Sequence, residues 1–255
     1  MNPLAYVISL RRAEERFEHV RRLVQHCPLA CNRWDAVDGK LLTEAEIASV
    51  YHRDLHRPRY PFPLTRGEIG CFLSHRSVWQ QILDSGLPGA LVLEDDIELL
   101  DGFEEALQLG IKNAPLCSYI QFQIRDVTGT VEEIAEANDF RLIRPQVAPV
   151  RAMAQWITRD AAERLVEATR VFDRPIDTFV QMRWLHGVDV LVVTPPPVRE
   201  ISQQLGGSII NAHKRMSLPV PQVSRDWKRL IYRYQVKSWC RQLSSHVTAP
   251  PSKAG

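Results

Sequence analysis

The chain has 255 residues, 45 % hydrophobic and 24 % charged, with a formal net charge of +2. These are ordinary globular values, with apolar material for a sizeable core in one large α/β domain, or one domain with a small appendage. No apolar run approaches the roughly 18 residues of a spanning helix, and the start, which enters a strand at once, lacks the basic region that opens a signal peptide. Five scattered cysteines (27, 31, 71, 117 and 240) give no disulfide framework and suit a reducing compartment. The charge is uneven: residues 225–255 carry seven Lys/Arg against one acid, Asp226, while the rest is mildly acidic. A basic tail of this kind needs a partner or a solvated face. No nucleic-acid partner is expected.

Strand-like and helix-like stretches alternate. Leu4 to Leu10 reads as a strand, and Arg11 to His26 as a charged helix with Phe17, Val20, Leu23 and Val24 on one stripe. Cys31 to Ala36 is a second strand leading into the turn Val37-Asp-Gly-Lys40. Thr43 and Glu46 form a capping box for a short helix through Tyr51, and Thr65 and Glu68 another for a helix to about Asp84. Between them, residues 52–64 hold three prolines and read as an irregular loop. A strand over residues 90–96 follows, then a helix near Phe103 to Gly110 and a strand at Tyr119 to Ile124. Residues 125–140 are polar; strands are expected at 140–144 and 150–158, and a helix from Asp160 to Arg170. Pro175 opens a helix ending at Gly187, and Val188 to Val193 is a last strand, stopped by three prolines. The alternation indicates an α/β fold with a mostly parallel sheet.

The most informative stretch is Ala90-Leu-Val-Leu-Glu-Asp-Asp96, a short apolar run that ends in three consecutive carboxylates. Ligands of open α/β sheets gather at the carboxyl ends of strands. Three acids packed there repel one another unless a cation sits among them, and an all-oxygen cluster suits Mg²⁺ or Mn²⁺ with a substrate phosphate as a further ligand. A solvated acidic turn is the plainer alternative. A second unusual feature is Gly67-Glu-Ile-Gly-Cys-Phe-Leu-Ser-His75. Gly70 inside a helix costs about 1 kcal/mol against Ala, which suits either close backbone packing or the approach of a ligand. Glu68, Cys71, Ser74, His75 and Val78 share one helix face.

These segments together resemble glycosyltransferase family 25, which contains bacterial lipooligosaccharide galactosyltransferases and collagen galactosyltransferases. The resemblance rests on Ile8-Ser-Leu10, Asp35-Ala-Val-Asp-Gly39, Gly67-Glu-Ile-Gly-Cys-x-x-Ser-His75 and Leu93-Glu-Asp-Asp96, in that order. Further on, Ala154-Gln-Trp-Ile-Thr158, Pro175-Ile-Asp177 and Ser208-Ile209 resemble later blocks, so that the likeness covers roughly residues 4 to 212. It implies a GT-A-like fold, a Rossmann-like nucleotide-binding sheet fused to an acceptor-binding half, and transfer of galactose from UDP-galactose with Mn²⁺ (or Mg²⁺). The acidic triplet then resembles the family's metal-binding Asp-x-Asp. Glu94, Asp95, Asp96 and His213 are the candidate ligands, with Asp96 first because the last acid reaches furthest into the cleft. Inverting transfer needs a base for the acceptor hydroxyl, for which Asp177 is the candidate; a first-turn carboxylate facing the helix dipole is its bland role. Ser9, Leu10, Arg11 and Arg16 would meet base and phosphates, Asp35 and Asp38 the uracil or ribose, and Ser74 and His75 the ribose or diphosphate. Lys214 would join His213 in closing on the phosphates.

The expected division is a catalytic domain over 1–223 and a basic amphipathic helix and tail over 224–255. In the tail, Trp227, Leu230, Ile231 and Tyr234 recur at helical spacing beside Arg229, Arg233, Lys237 and Arg241. Such a helix either holds the enzyme against anionic lipid or docks its apolar stripe on the body. The expected acceptor is a lipid-linked oligosaccharide, met on the cytoplasmic face of a bacterial inner membrane as a peripheral protein. Two other classes fit less well: a metal-dependent phosphohydrolase acting on a nucleotide sugar, and a non-catalytic carbohydrate-binding module.

Overall fold

Beginning with β1 (Leu4–Ser9), the computed structural model describes residues 4–207 and 222–247. A turn of 3₁₀ helix (Glu14–Arg16) precedes α1 (Phe17–His26), so the first helix starts later than its charged sequence suggests; β2 (Ala30–Asp35) and α2 (Glu44–Val50) follow. Then come α3 (Arg66–Asp84), β3 (Gly89–Glu94), β4 (Ile97–Leu99), α4 (Phe103–Asn113) and β5 (Ser118–Phe122). Next are β6 (Val131–Ala137), β7 (Phe140–Pro145), β8 (Ala154–Thr158) and α5 (Arg159–Ala168). The helix expected from Pro175 is two short ones, α6 (Ile176–Val180) and α7 (Arg183–His186), and the remainder is β9 (Asp189–Thr194), β10 (Val198–Glu200) and α8 (Gln222–Val247). Both capping boxes form: Thr43 and Thr65 accept from the backbone N–H of Glu46 and Glu68, whose carboxylates accept in return.

An eight-stranded sheet runs β2-β1-β3-β8-β5-β9-β7-β6, and β4 pairs with β10 in a separate two-stranded ribbon. β1 pairs parallel with β2 and β3, and β5 with β9; the β3–β8, β5–β8, β7–β9 and β6–β7 pairings are antiparallel. The sheet is therefore mixed, not mostly parallel. The polar stretch expected to be loop contains β6, an edge strand whose Glu132, Glu133 and Glu136 keep it soluble. It turns into β7 through Asn138, one of the residue types that tolerates its positive φ of 52°.

Side-chain alternation divides the core between the two faces. Tyr6, Ile8, Ala90 and Val92 pack under α3 and α5, while Ala5, Val7, Leu91 and Leu93 pack under α1 and α4. The chain leaves β1 through α1 to β2, then crosses back through α3 to β3 on the other side of β1. Strand order thus reverses at β1, and the crevice outside the carboxyl ends of these strands is where such a sheet receives a ligand. This parallel, Rossmann-like half joined to an antiparallel-rich half is a GT-A-like architecture.

α8 docks on the body, through a different stripe from the one its sequence suggests. Tyr232, Val236 and Cys240 are buried, and the Tyr232 hydroxyl accepts from the buried Arg174 at 2.9 Å. Trp239 packs on Trp184 at 5.4 Å between centroids. Trp227, Leu230, Ile231 and Tyr234 face away from the body, 63 %, 58 %, 43 % and 72 % exposed.

Candidate functional site

A cavity of about 380 Å³ opens at the strand-order reversal. The end of β1 supplies Ser9 and Leu10; the loop after β2 supplies Val37, Asp38, Gly39 and Lys40; α3 supplies its first turn and Ser74 and His75; β3 ends in Glu94, Asp95 and Asp96. The loop lies directly on α3. A Cβ on Gly70 would stand 2.7 Å from the Gly39 nitrogen and the Val37 oxygen, and one on Gly39 would strike the Arg66 carbonyl. The helix cost of Gly70 is therefore offset by a close backbone approach. Ser74 fastens the same contact, since its hydroxyl donates to the Gly70 carbonyl at 2.7 Å and accepts from the Val37 N–H at 2.9 Å.

The three acids have different surroundings. Glu94 shares the parity of Ala90 and Val92 and so faces α3, where its Oε1 is 3.1 Å from His75 Nε2 and 3.9 Å from Cys71 Sγ. His75 is fully buried, and its Nδ1 is 3.0 Å from the Gln155 side-chain amide. With that amide donating, His75 is the tautomer whose Nε2–H serves Glu94. Cys71, His75 and Glu94 also place ligand atoms within 4.8 Å of one another. Burial pushes the Cys71 thiol well up, helped by Glu94 and Asp177. The trio is a hydrogen-bonded setting for Glu94.

Asp95 has the opposite parity and meets Arg16, which is 2 % exposed and pairs with it directly. Arg16 also lies 3.6 Å from Asp96 and donates to the Gly207 carbonyl at 2.8 Å. Burial raises Asp95, and the Arg16 charge opposes the shift. Asp96 is pushed up to about 7 by burial, then by the charges of Glu94 and Asp95, with Glu200 adding to them. Its Oδ1 is buried with no hydrogen-bond partner among the described residues.

Asp177 stands at a second cavity, of about 580 Å³, shared with Tyr60, Phe62, Glu68 and the α8 residues Arg229, Tyr232, Arg233 and Lys237. Its carboxylate accepts from the backbone N–H of Arg151 at 3.1 Å and of Thr178 at 2.7 Å. Burial nevertheless raises it, and Glu94 and Glu68 push in the same direction. The 151–153 segment joins the two cavities. Met153 O accepts from the Glu94 N–H at 2.7 Å, and Arg151 reaches Glu200 at 2.5 Å. Arg151 holds φ at 88°, an uncommon conformation for a bulky residue, of the kind that concentrates at functional sites.

Of the residues singled out in the sequence, Ser9, Leu10, Arg16, Asp38, Ser74, His75, Glu94, Asp95 and Asp96 line the first cavity. Arg11 and Asp35 do not: they pair with each other at the surface, where the Arg11 side chain is 81 % exposed. Arg12, bonded to Asp38, takes the inward position, together with Lys40 and Arg66. Arg12 was hidden because two adjacent arginines look alike in sequence. Glu200 was missed because it arrives through the β10–β4 pairing, a long way along the chain from the triplet, with no local signal. His213, Lys214, Ser208 and Ile209 lie outside the described residues.

Three carboxylates line the cavity, one with a buried oxygen that has no partner among the described residues, and oxygen donors of this kind suit a hard divalent cation; the three ligand atoms that already converge within 4.8 Å are, among the described residues, those of Cys71, His75 and Glu94. Asp96 and Glu94 would hold such an ion, with Asp95 shared with Arg16.

The family model described as glycosyltransferase family 25 (LPS biosynthesis protein) matches residues 2–180. Procollagen galactosyltransferase 1 of Danio rerio is 38 % identical over 106 residues, 40 % of this chain and 18 % of the relative. Inactive glycosyltransferase 25 family member 3 of Mus musculus is 36 % identical over 108 residues, likewise 40 % of this chain and 18 % of the relative. The match thus spans less than a fifth of these relatives' length. Among solved structures, a mannose-1-phosphate geranyltransferase from Thermus thermophilus superposes with a TM-score of 0.37 at 13 % identity, over 82 % of this chain and 80 % of that one. On the family match over most of its length, the chain belongs to glycosyltransferase family 25.

Proposed function

We propose that this chain is an inverting, metal-dependent glycosyltransferase that moves galactose from UDP-galactose to a sugar hydroxyl of a lipopolysaccharide or lipooligosaccharide acceptor. The observation that carries the proposal is the run Glu94, Asp95 and Asp96 lining the cavity at the strand-order reversal, with Asp96 Oδ1 lacking a partner among the described residues. Membership of the family and the galactosyltransferase names of its relatives support the sugar, and the LPS description of the family supports the acceptor. When bound, Mn²⁺ or Mg²⁺ would supply Lewis-acid stabilisation of charge on the UDP leaving group. The chain's own residues do the rest. Arg12 and Lys40 give positive charge to the diphosphate, the backbone after β1 and the Val37–Lys40 loop receive the nucleoside, and Arg16 orients Asp95 and Asp96. In the second cavity, Asp177 takes the proton from the acceptor hydroxyl, and its raised pKa keeps it a usable base despite two backbone hydrogen bonds.

The surroundings of this work are proposed to be the cytoplasmic face of a bacterial inner membrane. No helix among the described residues is long and apolar enough to cross a membrane. The outward stripe of Trp227, Leu230, Ile231 and Tyr234, with Lys228 and Arg241 beside it, suits the headgroup boundary of anionic lipid. Co-sedimentation with anionic vesicles, lost on W227S/I231S, tests that attachment.

A donor screen followed by an acceptor array tests the function. With Mn²⁺ present, UDP-galactose is expected to raise the melting temperature more than UDP-glucose or UDP-N-acetylglucosamine, and label from UDP-galactose to move to glycan acceptors. Hydrolysis without acceptor at the same rate would point to a phosphohydrolase. Donor binding without turnover would put the chain with the inactive relatives.

A further inference from the structure

The second cavity carries a cationic row that sugar transfer by itself does not require. Arg229, Arg233 and Lys237 recur every four residues on α8 and so share one face, and all three border the cavity. They sit beside the docked stripe, so the Arg174–Tyr232 bond and the edge contact of Tyr232 with Tyr60 at 5.4 Å fix where they stand. The Arg229 guanidinium rests over the Phe62 ring at 5.4 Å.

Three acids and three cations line this cavity, and they differ in how far each is already bonded. Asp177 already accepts two backbone N–H groups, and Glu68 closes the capping box with Thr65. Asp126 is the remaining acid in the lining. Among the cations, Arg229 pairs with Asp226 at 3.2 Å, an exposed neighbour on its own helix. Arg233 and Lys237 have no carboxylate partner among the described residues. A cavity whose acids are largely bonded, and which keeps two cations without a carboxylate, favours a ligand bearing an oxyanion. Charge-assisted hydrogen bonds to such a group are the strong ones.

Resting on the assignment of this cavity to the acceptor, we propose that the acceptor is an anionic sugar. A phosphate or carboxylate substituent is bound by Arg233 and Lys237, with Arg229 at the margin, while a hydroxyl of the same molecule meets Asp177. The row thereby selects charged acceptors over neutral ones.

The test uses the full chain with Mn²⁺ and saturating UDP, so that the nucleotide fills the first cavity and phosphate probes report on the second. Binding of glucose-6-phosphate, glucuronate and glucose is followed by ligand-observed NMR. Both anionic probes are expected to bind about ten-fold or more tightly than glucose, to weaken as salt rises, and to fall to the level of glucose in R233Q/K237Q. R241Q, exposed on the same helix outside the cavity lining, should keep the preference. A UDP titration on each variant checks that the fold and the first cavity are intact. Absence of UDP binding throughout would count against the donor site, whereas the sugar probes judge the cationic row without any turnover. Equal binding of glucose and glucose-6-phosphate, or a preference that survives R233Q/K237Q, overturns the proposal. Loss of anionic-vesicle binding in R233Q/K237Q with probe affinities unchanged overturns it too, and assigns the row to a membrane surface.

Discussion

Asp96 shows how one side chain couples stability to function. In the unfolded chain it ionises near 3.8, and in the metal-free fold burial and its acidic neighbours move this to about 7. Between those values the folded state holds a proton that the unfolded state has lost, so stability from this group is full below the lower value and is lost as the pH rises through 7. Chemical denaturation in EDTA should therefore give stability that declines from pH 5 to pH 8. The D96N variant should flatten that decline, and saturating Mn²⁺ should offset it in the natural sequence. The same substitution is expected to lower transfer by about 100-fold or more. At Asp177 the expected pattern differs: D177N should keep UDP affinity and lose about two to four orders of magnitude in turnover, the share of a general base. If steady-state kinetics show the loss in donor affinity instead, Asp177 belongs to the donor site.

At the scale of elements, the contact between α3 and the Val37–Lys40 loop sets the shape of the first cavity. G70A gains helix propensity, yet its methyl meets backbone at 2.7 Å on two sides. It is expected to destabilise the fold by about 1–3 kcal/mol and to weaken UDP binding, both measurable by denaturation and calorimetry; an unchanged UDP affinity would mean that the loop is not part of the donor site. Elements with local signals were legible in the sequence. The two capping boxes and the buried β3 ending in acids follow from residues a few positions apart, whereas Gly70 marked a close approach without naming the Val37–Lys40 loop as its partner. Elements defined by distant partners were not. The β4–β10 ribbon has three residues on each side, β6 is an acidic edge strand that reads as loop, and the mixed pairing depends on where β7 and β8 insert. In α8 the sequence holds two apolar stripes on opposite sides. Periodicity favours the one with the larger side chains, whereas the body accepts Tyr232, Val236 and Cys240.

Over the whole molecule, the helix at the end of the described chain closes a wall of the cavity that contains Asp177, so the body and α8 make one working unit. Ending the chain near Val223 would remove the hydroxyl partner of the buried Arg174, at a cost of about 1–3 kcal/mol or more. It would also expose the apolar surface under three side chains, roughly 1.5–3 kcal/mol for each large one. A lower melting temperature and loss of acceptor turnover are expected, and a shortened chain as stable and active as the full one would contradict the docked arrangement. The central claim is that the acids ending β3 hold a divalent cation which in turn holds the nucleotide diphosphate. Calorimetric titration of UDP into the full chain, in Mn²⁺ and in EDTA, with D96N alongside, tests it most directly. Saturable binding in Mn²⁺ that disappears both in EDTA and in D96N is the expected result; equal UDP affinity in all three would contradict it.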